Sequence, residues 1–194
     1  MNQRPRRNRK SFNIREMIAE TNVSVNQLIY PLFIVDGKNK KIEIESMPNC
    51  FRWSLDVLLK EIESCINIGI NNFVLFPAIE DQLKDKTATF SYSAKNFYLK
   101  AIRKIKATFP NISLMSDVAM DPYSSDGHDG LVKKGEIIND ETLPILAKMA
   151  VAQADAGIDI IGPSDMMDGR VGFIRNNLDN NGFSNTSIMS YTAK

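Results

Sequence analysis

Short apolar runs alternate with amphipathic stretches along this sequence, and that alternation restricts the fold more than any other feature. Five runs have the length and composition of buried strands: residues 28–35, 72–79, 112–115, 158–161 and 186–190. The clearest intervening helix presents Leu58, Ile62 and Cys65 on one face and closes at Gly69. Consecutive β-α units predict a parallel sheet whose strands all end at one edge.

Length distinguishes between the parallel folds. A complete eight-fold β/α barrel needs roughly 250 residues, and this chain has 194. A doubly wound sheet would fit the length, but the first strand is not followed by a Gly-rich phosphate loop. The pattern therefore predicts an α/β barrel that stops after about five units, formed by residues 28–194, with a basic arm at 1–27. Residues 38–44, basic and then alternating, are predicted to be a loop.

Composition excludes several function classes. The net charge is +1, so no overall field attracts nucleic acid, and no apolar run approaches the ~20 residues of a membrane helix. The two cysteines, Cys50 and Cys65, fit a reducing cytoplasm. The arm lacks the apolar region of a secretory signal. We interpret it as a segment laid across a neighbouring subunit; a transit peptide or a nucleic-acid tail is the alternative.

Polar residues cluster after the run 158–161. The chain is predicted to turn at Gly162 and Pro163 and then presents Ser164, Asp165, Asp168 and Arg170. Such a cluster is typical of working groups at the carboxyl end of a sheet. The alternative is an ordinary turn in which Ser164 or Asp165 caps the next helix, and spacing alone favours neither. Pairing of Asp168 with Arg170 would fix the loop.

Several motifs together resemble one family. They are R-P-R-R at 4–7, L-I-Y-P-L-F at 28–33, N-D-E-T-L at 139–143, P-S-D-M-M-D-G-R-V at 163–171 and S-Y-T-A-K at 190–194. Along essentially its whole length the sequence resembles the porphobilinogen synthases, also called 5-aminolevulinate dehydratases. The resemblance implies a (β/α)8 TIM barrel with an arm that wraps a partner subunit, commonly in a homo-octamer. It also implies condensation of two 5-aminolevulinate molecules into porphobilinogen for tetrapyrrole synthesis.

The resemblance also assigns catalytic residues. Lys194 matches the first of two lysines that form Schiff bases with substrate. Because only a neutral amine attacks a ketone, its pKa must fall, and burial beside a second lysine would lower it. Asp117 matches an aspartate beside the lysines and is predicted to orient groups or transfer protons. Ser164 and Asp165 match a pair predicted to hold the amine and its water.

Metal dependence is predicted from the segment after the run 112–115. Zinc-dependent members of the family carry three cysteines where this sequence has Ala119, Asp121 and Asp129. Carboxylates suit magnesium, whereas thiolates suit zinc. We therefore expect magnesium bound by Asp121 and Asp129 and no catalytic zinc; the alternative is that these are loop carboxylates without an ion. Residues 123–134, which include His128, are predicted to act as a lid.

The sequence departs from the family in ways that bear on activity. No residue here matches the second lysine, the basic groups that grip the substrate carboxylate or the last three strands. Gly162 replaces the family's alanine, which we expect to be a mild change. Our hypothesis is an incomplete chain that is inactive alone. The alternatives are a non-catalytic remnant that associates with intact subunits, or a lysine-dependent barrel of the class I aldolase type, which does not require the P-S-D-M-M-D-G-R string.

Overall fold

The computed structural model of the chain describes residues 2–192. The helices are α1 (Phe12–Met17), α2 (Leu55–Asn67), α3 (Phe97–Thr108), α4 (Asn139–Asp155) and α5 (Arg170–Asn180). The strands are β1 (Tyr30–Val35), β2 (Lys41–Ile44), β3 (Met47–Trp53), β4 (Asn72–Ala78), β5 (Ser113–Val118), β6 (Val132–Lys133), β7 (Glu136–Ile137), β8 (Ile160–Pro163) and β9 (Ser187–Ile188). Short 3-10 turns occur at Pro5–Arg9, Val25–Gln27, Asp81–Leu83 and Thr89–Tyr92.

The main sheet confirms the predicted fold class. Strands β1, β4, β5, β8 and β9 lie side by side in chain order and pair in parallel. In a doubly wound sheet the strand order would reverse at a switch point, whereas a barrel adds each new strand next to the previous one. Helices α2 to α5 each precede one of the strands β4, β5, β8 and β9. The described residues therefore form five successive units of a β/α barrel.

A β-hairpin occupies the region predicted to be a loop at 38–44, so that prediction is wrong. Strand β2 pairs antiparallel with β3, and β3 adds in parallel to the free side of β1. The Lys41 ammonium lies 4.3 Å from the centre of the Phe51 ring and 4.7 Å from that of Trp53. Lys41 thus covers aromatic surface, and its charge protects the edge strand β2 from pairing with another chain.

The core lies between the sheet and its helices. Leu58, Ile62 and Cys65 of α2 are buried against it, as the helical spacing predicted. From α3, Tyr98 and Ile102 enter the same core. None of the described helices is long and apolar enough to cross a lipid bilayer. One layer of helices on one face leaves the opposite face of the sheet to form the barrel interior.

Asp159 is hydrogen-bonded to α3, β5 and β9. Its carboxylate accepts hydrogen bonds from Lys106 Nζ of α3, at 3.0 and 2.8 Å, and from the Leu114 amide of β5, at 2.8 Å. Its own carbonyl accepts from the Ser187 amide of β9 at 3.0 Å. The Asp159 side chain therefore connects α3 to β5 and its backbone binds β9, at the end of the sheet opposite the predicted site.

We expect Asp159→Ala to lower the free energy of unfolding by about 1–3 kcal/mol, because the Leu114 amide and the Lys106 ammonium lose their partner. Urea denaturation followed by circular dichroism measures this change. Asp155→Ala is the control, since it breaks an exposed pair with Arg103 that we expect to contribute at most about 1 kcal/mol. Equal losses in the two variants would contradict a special role for Asp159.

Candidate active site

Asp117 lies within a strand rather than after one. The run predicted to end at residue 115 continues as β5 to Val118. The neighbouring Ser116 hydroxyl donates to Gln153 of α4 at 2.6 Å, so alternation along the strand directs Asp117 to the barrel interior. The Gln153 amide donates to the Asp117 carbonyl at 2.9 Å, and the Asp117 N–H donates to the Tyr98 hydroxyl at 3.4 Å. These bonds fix the backbone that carries this nearly buried carboxylate.

Ser164 shares that interior face. Gly162 of β8 is paired with Asp117 of β5, and the Ser164 N–H donates to the Val118 carbonyl at 3.0 Å. The ladder therefore continues beyond β8, and the two-residue period places Ser164 on the same face as Gly162. The structure thus brings together two of the predicted catalytic residues, Asp117 and Ser164, at the carboxyl ends of adjacent strands.

Gly162 allows close approach of two strands. The predicted turn at Gly162 and Pro163 is wrong, because both residues belong to β8. A Cβ atom at residue 162 would lie 2.5 Å from Met115 Cε and 2.6 Å from the Ser116 carbonyl oxygen. The Met115 end can move, but the backbone oxygen of a paired strand cannot move freely. An alanine therefore does not fit here without a shift of the neighbouring strand, and the expectation of a mild change stays a prediction.

The segment after β9 runs beside the same face. The Met189 amide donates to the Ile161 carbonyl at 2.9 Å, and the Tyr191 amide donates to the Pro163 carbonyl at 3.1 Å. Burial raises the pKa of the Tyr191 phenol, and the nearby negative charge of Asp117 raises it further. The segment that leads to Lys194 therefore passes close to Asp117. Lys194 itself lies outside the described residues, so its catalytic role stays a prediction.

Asp165 is fully buried and braces the loop that carries Ser164. Its Oδ1 atom accepts from the Met167 amide at 2.8 Å, and its Oδ2 atom lies 3.6 Å from Arg170 Nε. Burial raises the pKa of the Asp165 carboxyl; the Met167 N–H and the Arg170 charge oppose that rise, and the charge of Asp129 adds to it. The structure thus directs this carboxylate to its own loop. A direct part in catalysis stays a prediction.

The loop 163–169 is held differently from the sequence-based hypotheses. Arg170 pairs with Asp165, so the hypothesis of an Asp168–Arg170 pair is wrong. The Asp168 amide instead donates to the Asn139 side chain at 2.7 Å, and the Asn139 side-chain amide donates to the Asp168 carbonyl at 3.3 Å. Neither Ser164 nor Asp165 caps the next helix, because the N-cap of α5 is Gly169 at φ +74°, a conformation that glycine adopts at no steric cost.

The two predicted metal ligands lie in the long segment between β5 and α4. Asp121 is exposed and Asp129 is half-buried. Across residues 2–192, no three His, Cys, Asp or Glu side chains gather in an arrangement that could hold a metal ion. A magnesium ion here would rest on these two carboxylates and water, which is a usual mode for Mg²⁺. The oxygen chemistry of these carboxylates suits magnesium, whose binding stays a prediction.

The segment 123–134, whose role as a lid stays a prediction, packs on α4 and on the loop 163–169. The Leu131 amide donates to the Thr142 hydroxyl at 2.9 Å. A Cβ at Gly130 would meet Ile137 at 2.7 Å and Met167 at 3.0 Å. Because Gly130 follows Asp129 directly, this close packing fixes the backbone that carries the Asp129 side chain. His128, the only histidine, is exposed.

Comparison with known proteins identifies the family. The sequence model of the family described as Delta-aminolevulinic acid dehydratase matches residues 2–194. The chain belongs to this family. The Chlamydia pneumoniae Delta-aminolevulinic acid dehydratase is 50% identical over 194 residues, a match that covers 100% of this chain and 58% of that protein. The chloroplastic enzyme of Hordeum vulgare is 50% identical over 197 residues and is covered to 46%. The chain spans about half the length of these curated relatives.

A solved structure agrees with the fold. It is the delta-aminolevulinic acid dehydratase of Toxoplasma gondii in complex with the reaction product porphobilinogen. The two chains are 45% identical and superimpose with a TM-score of 0.95, covering 100% of this chain and 55% of that one. The partial barrel described above therefore has the arrangement found in a member of the delta-aminolevulinic acid dehydratase family.

Sequence reasoning missed three residues that shape the site. Tyr191 lines the interior face, Gln153 holds the backbone of Asp117, and Asn139 anchors the loop that carries Ser164. Tyr191 and Asn139 stand inside the motifs that carry the resemblance, so their positions were a signal. Gln153 is buried in the last turn of α4, and a polar residue on an apolar helix face is the signal that could have identified it.

We expect Gly162→Ala to destabilise the protein by about 1–3 kcal/mol, the usual cost of overpacking a core. Thermal or urea unfolding measures the change. Gly172→Ala is the matched control, because a Cβ at Gly172 of α5 meets nothing within 4 Å and alanine favours helix. In a Met115→Ala background, Gly162→Ala should cost less than in wild type but still destabilise, since the contact with Ser116 remains. A neutral Gly162→Ala would show that the strands separate easily.

Proposed function

We propose that this protein takes part in making porphobilinogen from two molecules of 5-aminolevulinate, and that Lys194 forms the first Schiff base. The observation that carries the proposal is the shared interior face of Asp117 and Ser164, beside the segment that leads to Lys194. Membership of the delta-aminolevulinic acid dehydratase family supports it, as does the porphobilinogen bound to the Toxoplasma gondii relative.

Schiff-base formation needs groups that transfer protons and hydrogen-bond oxygen, and Asp117 and Ser164 are groups of that kind. The neutral lysine amine attacks the ketone carbon of 5-aminolevulinate, and its proton passes to the former carbonyl oxygen to give a carbinolamine. Protonation of that hydroxyl releases water as the carbon–nitrogen double bond forms. Asp117 can relay the proton because its carboxylate is nearly buried at the strand end. The Ser164 hydroxyl can hydrogen-bond the oxygen that departs. Asp165 supports both by bracing the loop.

Two alternatives differ in their support. A non-catalytic remnant that associates with intact subunits is kept as the second candidate, because the chain spans about half the length of its relatives. A class I aldolase type of reaction is not favoured, since the family match extends over residues 2–194. Porphobilinogen synthesis and the non-catalytic remnant differ in whether Lys194 is more reactive than a surface amine.

Borohydride trapping decides between the first two candidates. We expect 5-aminolevulinate with borohydride to label Lys194 at least about tenfold faster than the exposed Lys148, because a desolvated amine is neutral at a lower pH. Peptide mass spectrometry measures both rates in one sample. Asp117→Asn should slow the labelling of Lys194 alone.

Pyrrole formation is tested separately with Ehrlich's reagent. We expect no turnover by the 194-residue chain alone, because condensation needs a second substrate site that no residue of this sequence matches. Turnover at ~1 per second or faster would contradict this. Labelling of Lys194 at the rate of Lys148 would instead support the non-catalytic remnant.

We also propose that Asp121 and Asp129 bind magnesium directly or through water. The support is their oxygen chemistry and their place in one segment after β5. The ion would supply positive charge near the predicted lid, while the side chains of this chain hold the substrate.

Assembly into a homo-octamer through the arm is part of the proposal, supported by the exposed Phe12, Met17 and Val23 of residues 2–27. The proposed compartment is the cytoplasm, which suits two free cysteines.

Calorimetric titration with magnesium chloride tests the metal proposal. Wild-type chain should give a saturable heat, and the double variant Asp121→Asn with Asp129→Asn should lose it, because neutral amides bind Mg²⁺ weakly. Asp126→Asn in the same segment is the matched control and should bind as wild type does. Unchanged heats in the double variant would show that these carboxylates are not ligands.

A further inference from the structure

The Arg170 side chain contacts four other residues. It is the first residue of α5 and its side chain is 21% exposed. Its Nε faces Asp165 Oδ2 at 3.6 Å, and its Nη1 donates to the Met167 carbonyl at 3.3 Å. Its Nη2 donates to the Tyr191 carbonyl at 3.1 Å and to the Ser190 hydroxyl at 3.4 Å. One guanidinium thus contacts the loop 163–169 on one side and the segment after β9 on the other.

The loop side of this connection combines an ion pair with a hydrogen bond. Asp165 is fully buried, and its Oδ2 faces Arg170 Nε at 3.6 Å without a hydrogen bond, so the guanidinium balances the buried charge while its Nη1 binds the Met167 carbonyl. The loop itself is fixed to α4 by the two bonds between Asn139 and Asp168. Arg170 therefore reaches the segment after β9 from a braced position.

The other side of the connection is a short strap, residues 190–192, that follows β9. The Tyr191 amide is held by the Pro163 carbonyl at 3.1 Å, and its carbonyl is held by Arg170. The Ser190 hydroxyl also donates to the Tyr191 carbonyl at 3.3 Å. The peptide groups on both sides of Tyr191 are thus fixed, three residues before Lys194 along the chain.

We propose that Arg170 is a positioning residue that fixes the 190–192 strap and thereby orients Lys194 for attack on substrate. The proposal rests on the proposed function in its second half only, because the hold on the strap is a property of the folded chain. A planar guanidinium can contact Asp165, Met167 and Tyr191 at once, whereas a lysine ammonium is a single point charge that cannot span them. Arg170 acts through the strap and does not itself touch the reacting atoms.

Arg175 is a matched control on the same helix. It also pairs with a carboxylate, Asp179, and donates to two backbone carbonyls, those of Thr186 at 2.6 Å and Phe183 at 2.9 Å. Its side chain is 30% exposed. It therefore loses a similar set of bonds on substitution, but those bonds hold the connection before β9 and not the strap after it.

Hydrogen exchange tests the first half of the proposal without any activity. In Arg170→Met the Tyr191 amide should exchange at least about tenfold faster than in wild type. The amide of Ser187, in β9 itself, should change much less. Arg175→Met should show the opposite pattern, with faster exchange at Thr186 and an unchanged Tyr191. An unchanged Tyr191 amide in a folded Arg170→Met variant overturns the proposal.

Borohydride trapping of Lys194 with 5-aminolevulinate tests the second half. We expect Arg170→Met to slow labelling about tenfold or more, since small displacements of a reacting group cost that much. Arg170→Lys should keep a cation beside Asp165 and so regain most of the melting temperature, yet label nearly as slowly. Arg175→Met should lose stability and label at the wild-type rate.

These outcomes distinguish the hold of Arg170 on the strap from its effect on the orientation of Lys194. Labelling rates that follow melting temperature across all three variants would mean that Arg170 is merely structural, and would overturn the positioning role. If wild-type Lys194 labels no faster than Lys148, the proposed function fails for this chain, while the exchange of the Tyr191 amide still decides whether Arg170 fixes the strap.

Discussion

The parallel register of β5, β8 and β9 is the constraint on which the candidate site depends. Pairing of Asp117 with Gly162, and of Ile161 with Ile188, determines which residues face the barrel interior. A slip of one residue in β8 would send Ser164 to the helix side of the sheet, because side chains alternate along a strand. In this register the strands pack closely at Gly162, since a Cβ there would touch the Ser116 carbonyl.

The buried charge of Asp165 is the second constraint, and it supports the loop that carries Ser164. Asp165 has no exposed surface, so its ionised form is tolerable only beside the Met167 amide and Arg170. That requirement ties the loop 163–169 to the start of α5. The same guanidinium then holds the Tyr191 carbonyl. The guanidinium that stabilises the buried Asp165 carboxylate therefore also fixes the segment that precedes Lys194.

Sequence patterns predicted the five parallel strands because apolar runs and helical spacing are local properties. They failed at strand ends: Asp117 was placed after its strand, and Gly162 and Pro163 in a turn, yet pairing with neighbouring strands keeps them extended. The β2–β3 hairpin was missed because its exposed edge strand has only four residues, two of them charged. The partner of Arg170 could not be predicted from the sequence, since Asp165 and Asp168 are both within reach and only the fold buries one of them.

Asp117, Ser164 and the strap come from three strands that are neighbours in the sheet. The backbone hydrogen bonds described between these three strands lie between β5 and residue 192. Formation of one Schiff base requires only that local arrangement, whereas joining two substrates requires a second set of groups facing it across the barrel. Because the two requirements involve different contacts, the reactivity of Lys194 and the synthesis of a pyrrole are separable properties of this fold.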